Sequence, residues 1–307
     1  MLGINYLKRL EQLLAQSYPS SGWLDKKTSF DFIYEAAKDF VSKTKCLYNT
    51  QSITTVASQV NYALNPDFME VYAENLDDAV KVLKYAVSSG NVSWLEQQFY
   101  SSQYYDNNST PVLIPSNFAV VTKSALSRIT GTVTSSASQS NGESNLIDTN
   151  GNFANVSAGD DVYNTTQEYI GIVLSKTSNT QLVTAMFDVS NTTSSYAGWT
   201  LSDGYVIQPS ARYEIYIDPP PSTSGHTVTV PYTQRPSPVY SDIGSYNLIN
   251  EEAILKYAAW LYKYRDSSPQ VGDALYQYYD RAVREASNSH IRATGNRLFR
   301  VSWKKNG

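Results

Sequence analysis

Residues 250–286 read NEEAILKYAAWLYKYRDSSPQVGDALYQYYDRAVREA. Asn250 is a favourable helix N-cap, and the two glutamates after it place negative charge on the first helical turn, where the helix dipole stabilises it. Apolar residues then recur at spacings of three and four, which predicts an amphipathic helix. Residues 266–269 interrupt the pattern, and Pro269 suits the first turn of a second helix. We therefore predict an antiparallel helical hairpin, whose core contains Ile254, Leu255, Ala258, Leu261, Leu275, Tyr278 and Ala282.

Two amphipathic patterns near the N-terminus predict helices that complete this core. One covers residues 1–16 and has leucines at positions 7, 10, 13 and 14 on one face. The other begins near Thr28 or Ser29 and places Phe30, Ile33 and Phe40 on one face. A hairpin cannot bury both of its apolar stripes alone. We therefore expect the two ends of the chain to meet in one helical bundle, with the middle of the chain inserted between them.

Short strand patterns accompany the predicted bundle. Residues 53–64 are interpreted as a hairpin with its turn at residues 57–59, and residues 212–218 and 227–232 as two strands joined by a proline-rich turn. Residues 75–99 show helical spacing instead, with Val80, Leu83 and Val87 on one side. The predicted fold class is α+β: a helical bundle with a small antiparallel sheet.

The character of the sequence changes between residues 128 and 207. Helical periodicity disappears, and short β-branched runs recur about every ten residues between Ser, Thr, Asn and Gly. This pattern is typical of a small all-β sandwich or barrel. We predict a discontinuous helical host domain at residues 1–127 and 208–290, an inserted β-domain at 128–207, and a basic C-terminal arm at 291–307.

Composition narrows the classes of function. The 307 residues include 25 tyrosines, which suit interfaces between subunits but also an ordinary Tyr-rich β protein. A net charge of −4 argues against a general nucleic-acid binder. With Cys46 as the single cysteine and only two histidines, we predict no disulfide, metal site or cofactor. An amphipathic start and the lack of an 18-residue apolar run predict neither a signal peptide nor a membrane span.

We find no sequence motif typical of an active site, and we predict that the protein is not an enzyme. The acidic pairs at 77–78 and 160–161 are interpreted as solvated turn or cap residues. Residues 148–152, DTNGN, resemble a calcium loop faintly, but the acidic residue expected at its twelfth position is absent, so we predict a turn. A glycosidase, the enzyme class considered, would need two converging carboxylates.

The C-terminal arm combines positive charge with apolar residues, and no acidic residue follows Glu285. Phe299, Val301 and Trp303 alternate, so they would share one face of an extended segment. This composition predicts docking on a partner protein or contact with DNA phosphates. The predicted docking residues are Arg292, Arg297, Phe299, Arg300, Val301, Trp303, Lys304 and Lys305.

Three stretches together resemble the head-to-tail connector (adaptor) proteins of tailed bacteriophages. They are the N-terminal helix followed by ITTVASQVNYALNPDF at 53–68, the strand–proline–strand unit at 217–232, and the closing helix pair. Ser58 stands where the family usually has glycine. Residues 146–166 are similar to a β-module of virion proteins.

The resemblance implies a structural virion protein that forms a ring, commonly of twelve copies, below the portal. Such a ring joins capsid to tail and extends the DNA channel. The implied partners are further copies of the chain, the portal protein, a tail or nozzle protein, possibly tail fibres, and passing genomic DNA. The implied location is the neck of the virion after assembly in the host cytoplasm, with the arm docked on the portal. The alternative is a virion binding module whose β-domain attaches tail fibres or recognises a host surface or glycan.

Overall fold

The computed structural model describes residues 1–14, 25–72, 81–98, 110–123, 126–190, 195–246, 248, 250–265 and 269–293. Four helices lie in these ranges: α1 (Gly3–Leu14), α2 (Lys26–Thr44), α3 (Glu251–Arg265) and α4 (Pro269–Ala293). The strands up to the second sheet are β1 (Tyr48–Thr54), β2 (Asn61–Ala63), β3 (Phe68–Val71), β4 (Val82–Ala86), β5 (Val92–Gln97) and β6 (Asn117–Thr122). The second sheet contains β7 (Ile129–Thr132), β8 (Ser144–Ile147), β9 (Asp161–Asn164), β10 (Tyr169–Ser178), β11 (Gln181–Asp188), β12 (Ser195–Ala197) and β13 (Gly204–Gln208). Then follow β14 (Tyr213–Asp218) and β15 (Thr227–Gln234).

The predicted fold class, a helical bundle with a small sheet, is wrong. The described chain is mainly β, because β1–β6, β14 and β15 form an eight-stranded sheet, here called the host sheet. Strands β7–β13 form a separate seven-stranded sheet, here called the β-domain. The four helices form one layer, the helical layer. The error arises because most strands of the host sheet are short and pair with partners far away in the sequence, which local periodicity does not report.

The helices begin and end where local chemistry stabilises them. Asp25 caps α2 by accepting a hydrogen bond from the Thr28 amide at 2.7 Å, and Lys45 ends it in the left-handed conformation with φ 55°. Asn250 caps α3 by accepting one from the Ala253 amide at 3.1 Å. Side-chain acceptors of this kind satisfy amides that have no partner in the first helical turn.

The helix predicted at residues 75–99 is wrong where the structure describes it. Residues 82–97 form the β4–β5 hairpin, and Leu83 and Tyr85 point into the host-sheet core while Val82 and Lys84 face outward. Leu83 and Val87 are spaced as on a helical face, but burial alternates with a period of two. The tertiary partners β15 and β6 therefore decide between two readings of the same short pattern.

The strands predicted at residues 212–218 and 227–232 are confirmed as β14 and β15, but the pairing of these two strands, and of β1 with β2, as hairpins is wrong. β1 pairs with β15 and β2 pairs with β14, so β1 and β2 lie at the two ends of the strand order. The Gln51 side chain bridges these ends, since it donates to the Ala63 carbonyl at 3.0 Å and accepts from the Asn65 amide at 2.8 Å. β14 and β15 likewise take other neighbours instead of each other. The host sheet therefore curls until its first and last strands approach.

The β-domain has a core of its own and also contributes to the helical layer. Phe153, Leu182 and Ile207 are among the fully buried residues inside it. On its opposite face, Ala185 and Phe187 belong to the same buried cluster as Phe30 of α2 and Leu255 of α3. The host sheet keeps a separate core. The helical layer is thus packed on the inserted segment.

A buried ion pair joins the base of the β-domain to the host sheet. Arg212, next to β14, donates from Nη2 to both Asp160 carboxylate oxygens, at 2.9 and 3.2 Å. Asp160 is completely buried and Arg212 is nearly so. The interpretation of Asp160 as a solvated turn residue is therefore wrong, because its charge partner lies 52 residues away. Asp161 beside it is exposed.

Candidate functional site

The residues predicted for the core of the helical hairpin differ in how deeply they are buried. Ile254, Leu255, Ala258 and Ala282 are buried, and Leu261 and Leu275 are half-buried. Tyr278 is 43% exposed and lies outside the core. Its neighbour Tyr279 is buried instead, because consecutive helical residues point about 100° apart.

Tyr279 attaches α4 to α2 through both its ring and its hydroxyl. The ring lies 6.4 Å from the Phe40 ring and 4.4 Å from the Tyr257 ring, between centroids. The hydroxyl donates to the Asp39 carboxylate. Burial, followed by this hydrogen bond and the charge of Asp39, raises the pKa of Tyr279 well above its usual value. The hairpin is therefore held in one position against α2.

Next to this anchor lies a group of partly exposed rings, here called the aromatic surface, consisting of Tyr257, Trp260, Tyr264 and Tyr276. Trp260 is the centre, with ring centroids 5.1 Å from Tyr257, 5.6 Å from Tyr264 and 4.9 Å from Tyr276. The three residues on α3 are spaced three and four apart, which places them on one helical face. Tyr264 is 66% exposed, and its ring packs on Trp260 of the same helix.

Charged residues border the aromatic surface. The Lys43 ammonium lies 5.8 Å from the centroid of the Tyr257 ring and forms an ion pair of 2.8 Å with Asp39. On α4, Asp273 is exposed and lies one turn before Tyr276. An apolar centre of tyrosine and tryptophan with a charged rim is the composition of many protein interfaces. The surface is suited to binding another protein.

A second exposed group lies on the outer side of the host sheet and was missed by sequence reasoning. Val82 of β4 with Val92 and Trp94 of β5 point outward, and Trp94 is 58% exposed. We call this group, together with Lys84 opposite Trp94, the Trp94 surface. The sequence pattern that could have revealed this surface is the alternation of apolar Leu83 and Tyr85 with outward Val82 and Lys84. We interpreted residues 75–99 as a helix, so this alternation was not recognised as a strand.

The predicted arm lies almost entirely outside the described residues. Arg292 belongs to α4, but its side chain is not described, and Arg297, Phe299, Arg300, Val301, Trp303, Lys304 and Lys305 follow the last described residue. Their docking role therefore stays a prediction. The acidic pair at 77–78 is also outside the described residues.

The faint calcium loop is a closed turn. Asp148 is buried, and its carboxylate accepts hydrogen bonds from the Asn150 amide at 2.9 Å and the Tyr205 hydroxyl at 2.7 Å. Both bonds are made within the β-domain, so the carboxylate of Asp148 holds this turn together.

Among the residues that the structure describes, no three His, Cys, Asp or Glu side chains are grouped as metal ligands would be. None of the described helices is both long enough and apolar enough to cross a membrane.

We compared the chain with protein-family models and with curated proteins. No protein-family model matches the chain, and no curated protein matches it.

Proposed function

We propose that this protein is a structural virion protein that assembles into a ring through the aromatic surface, as a head-to-tail connector between portal and tail. The observation that carries the proposal is the exposure of Tyr264 within a group of rings that pack on one another across α3 and α4. The resemblance of the two ends of the chain to phage connectors supports the choice of ring and location.

Energetics favour burial of this surface in an interface. Tyr and Trp side chains supply much of the binding free energy in interfaces, and a central one contributes about 2 kcal/mol or more. Because Trp260 already contacts three rings, little side-chain freedom is left to lose when a partner covers it. A preordered aromatic group of this kind suits repeated contact between identical subunits.

The packing of the subunit also supports a structural role. α1 and α2 share one core with α3, α4 and the outer face of the β-domain. Tyr196 of the β-domain donates to Asp242 at 2.9 Å, and Lys26 of α2 lies 3.9 Å from the centroid of the Tyr196 ring. These contacts join the insertion to the helices within one subunit.

The experiment compares the oligomeric state of the wild type with that of Tyr264→Glu. Native mass spectrometry and electron microscopy, with and without the portal protein, are expected to show rings for the wild type. The substitution places a charge in the interface and should weaken assembly by about tenfold or more. Leu201→Glu is the matched control, because Leu201 is similarly exposed but lies in the β-domain. A wild type that stays monomeric with its portal would contradict the proposal.

A further inference from the structure

We propose that the host sheet binds an extended peptide segment of a partner protein as an added strand in the gap between β1 and β2. These two strands lie at the ends of the strand order, and no backbone pairing joins them in the part of the chain that the structure describes. Strand edges without a neighbour recruit further strands. The site is separate from the aromatic surface and does not depend on the proposed ring.

The outer edge of β1 directs backbone hydrogen-bonding groups into this gap. On the inner edge, the Thr55 amide donates to the His226 carbonyl beside β15, at 2.8 Å. Because ladder bonds alternate along an antiparallel strand, the backbone groups of residues 50, 52 and 54 point the other way, toward the gap. The Thr50 amide agrees with this orientation, since it donates to the Asn49 side chain at 2.8 Å and not to β15.

The opposite edge, on β2, is occupied by glutamine side chains in place of a strand. Gln51 donates to the Ala63 carbonyl at 3.0 Å and accepts from the Asn65 amide at 2.8 Å. Gln59 donates to the Asn61 carbonyl at 2.6 Å. A carboxamide offers the same donor and acceptor as a peptide group, so these side chains stand where the peptide groups of a neighbouring strand would lie. This edge is therefore arranged for a polypeptide backbone as its ligand.

β1 lacks the features that usually protect an edge strand. Its seven residues, YNTQSIT, contain neither a charged side chain nor a proline, and its pairing with β15 shows no register shift. Edge strands are commonly blocked by lysine, proline, a bulge or a very short length. The edge strand β12 of the β-domain, by comparison, has only three residues. β1 is therefore the edge best suited to binding a strand.

The gap also defines the side chains that the peptide should carry. Successive residues of a strand point to opposite faces of the sheet. On the inner face, the gap is bordered by buried Ile53, Tyr62 and Leu64 of the host-sheet core. On the outer face, Ser52 and Thr54 are exposed. We therefore expect a partner segment in which apolar residues alternate with small polar ones.

Two peptides with identical side chains test the site. The first is a fluorescent peptide of alternating threonine and valine, seven residues long like β1. The second carries N-methyl groups on its valines, which removes the backbone donors along one edge. Fluorescence anisotropy should show binding of the first and binding of the second that is weaker by about tenfold or more, because each lost hydrogen bond costs about fivefold.

Hydrogen exchange and protein variants locate the bound peptide. Binding should slow exchange of the Ser52 and Thr54 amides. Ser52→Pro removes a donor that faces the gap and should weaken binding by about fivefold, whereas Ser52→Ala should bind like the wild type. Gln51→Ala removes a side chain that the peptide must displace and should tighten binding by about fivefold. Circular dichroism checks that Ser52→Pro is folded, and the methylated peptide gives the same test on the unaltered protein.

The outcomes separate this site from the proposed function. Equal binding of the two peptides, no binding of either at millimolar concentration, or unchanged exchange at Ser52 would overturn the inference. A wild-type dimer that Ser52→Pro dissociates would show that a second copy covers β1, and it would also overturn the inference. Tyr264→Glu, which tests the ring, should bind the peptide as the wild type does, so failure of the ring and failure of this site are distinguishable.

Discussion

Replacing Arg212 with methionine should destabilise the protein by about 3–5 kcal/mol, the cost of breaking a buried ion pair by removing one partner. The pair lies where the β-domain joins the host sheet, between β9 and β14. Methionine keeps most of the aliphatic volume of arginine, so the cost of a cavity stays small. The remaining effect is mainly the loss of the guanidinium from beside a buried carboxylate.

The magnitude follows from what surrounds Asp160. Its side chain is completely buried, and Arg212 supplies two of its hydrogen bonds. Three neutral donors remain after the substitution: the Ser157 amide at 2.9 Å, the Ser210 amide at 2.9 Å and the Ser210 hydroxyl at 2.6 Å. They keep the carboxylate hydrogen-bonded, but they do not neutralise its charge. The loss should therefore lie below that of a wholly unpartnered ion, within the stated range.

Urea unfolding followed by circular dichroism measures the effect, and two variants control it. Asp160→Asn/Arg212→Met leaves no buried charge, so it should be more stable than the sum of the two single changes predicts. Lys123→Met removes the lysine of a partly exposed pair with Glu214 and should cost less than about 1 kcal/mol. A cost below about 1 kcal/mol for Arg212→Met, or strict additivity in the double variant, would refute the stabilising role assigned to the Asp160–Arg212 ion pair.

Three further changes test other parts of the fold. Phe187→Ala should cost about 3–5 kcal/mol in urea unfolding, because the ring is completely buried among residues of the helical layer; a cost near that of a surface change would show that the β-domain packs loosely. Deleting residues 128–207 with a Gly/Ser bridge should give aggregated protein in size-exclusion chromatography, since Phe30 and Tyr240 would lose the cover of Phe187; a soluble helical product would contradict this packing. Burial raises the pKa of Tyr240 and Tyr279 above the usual value near 10, so the stability they contribute is complete below about pH 10 and is lost as pH rises further. Urea unfolding between pH 8 and pH 11 measures this loss, with Tyr279→Phe expected to reduce the slope; equal slopes would contradict a role for Tyr279.

Local sequence was sufficient for the helices. The stripes at residues 3–14, 30–41 and 254–286 and the cap at Asn250 all act within a few residues, and α1–α4 contain them. Helix α2 begins at Lys26, slightly before the predicted start near Thr28 or Ser29. The caps and the apolar stripe act together, so one helix can be recognised without knowing its partner. The same local signals allowed Tyr278 to be assigned to the core, because spacing alone does not show how wide the buried face is. Tyr279 takes that place through its contacts with Phe40 and Asp39.

The sheets and the exposed surfaces depended on distant parts of the chain. The spacing of Leu83 and Val87 is compatible with a helix. The pairing of β15 with β4 and of β6 with β5 shows that this segment is a hairpin instead. The local sequence around Asp160 indicated a solvated residue, because its ion-pair partner Arg212 lies 52 residues away in the chain. The Trp94 surface exists only because Leu83, Tyr85 and Leu95 face a core on the other side of the sheet. The sequence by itself therefore determined where the helices form, since their hydrogen bonds and caps are local. Only the tertiary structure decided strand pairing and burial, since these require residues that are far apart in the chain to meet.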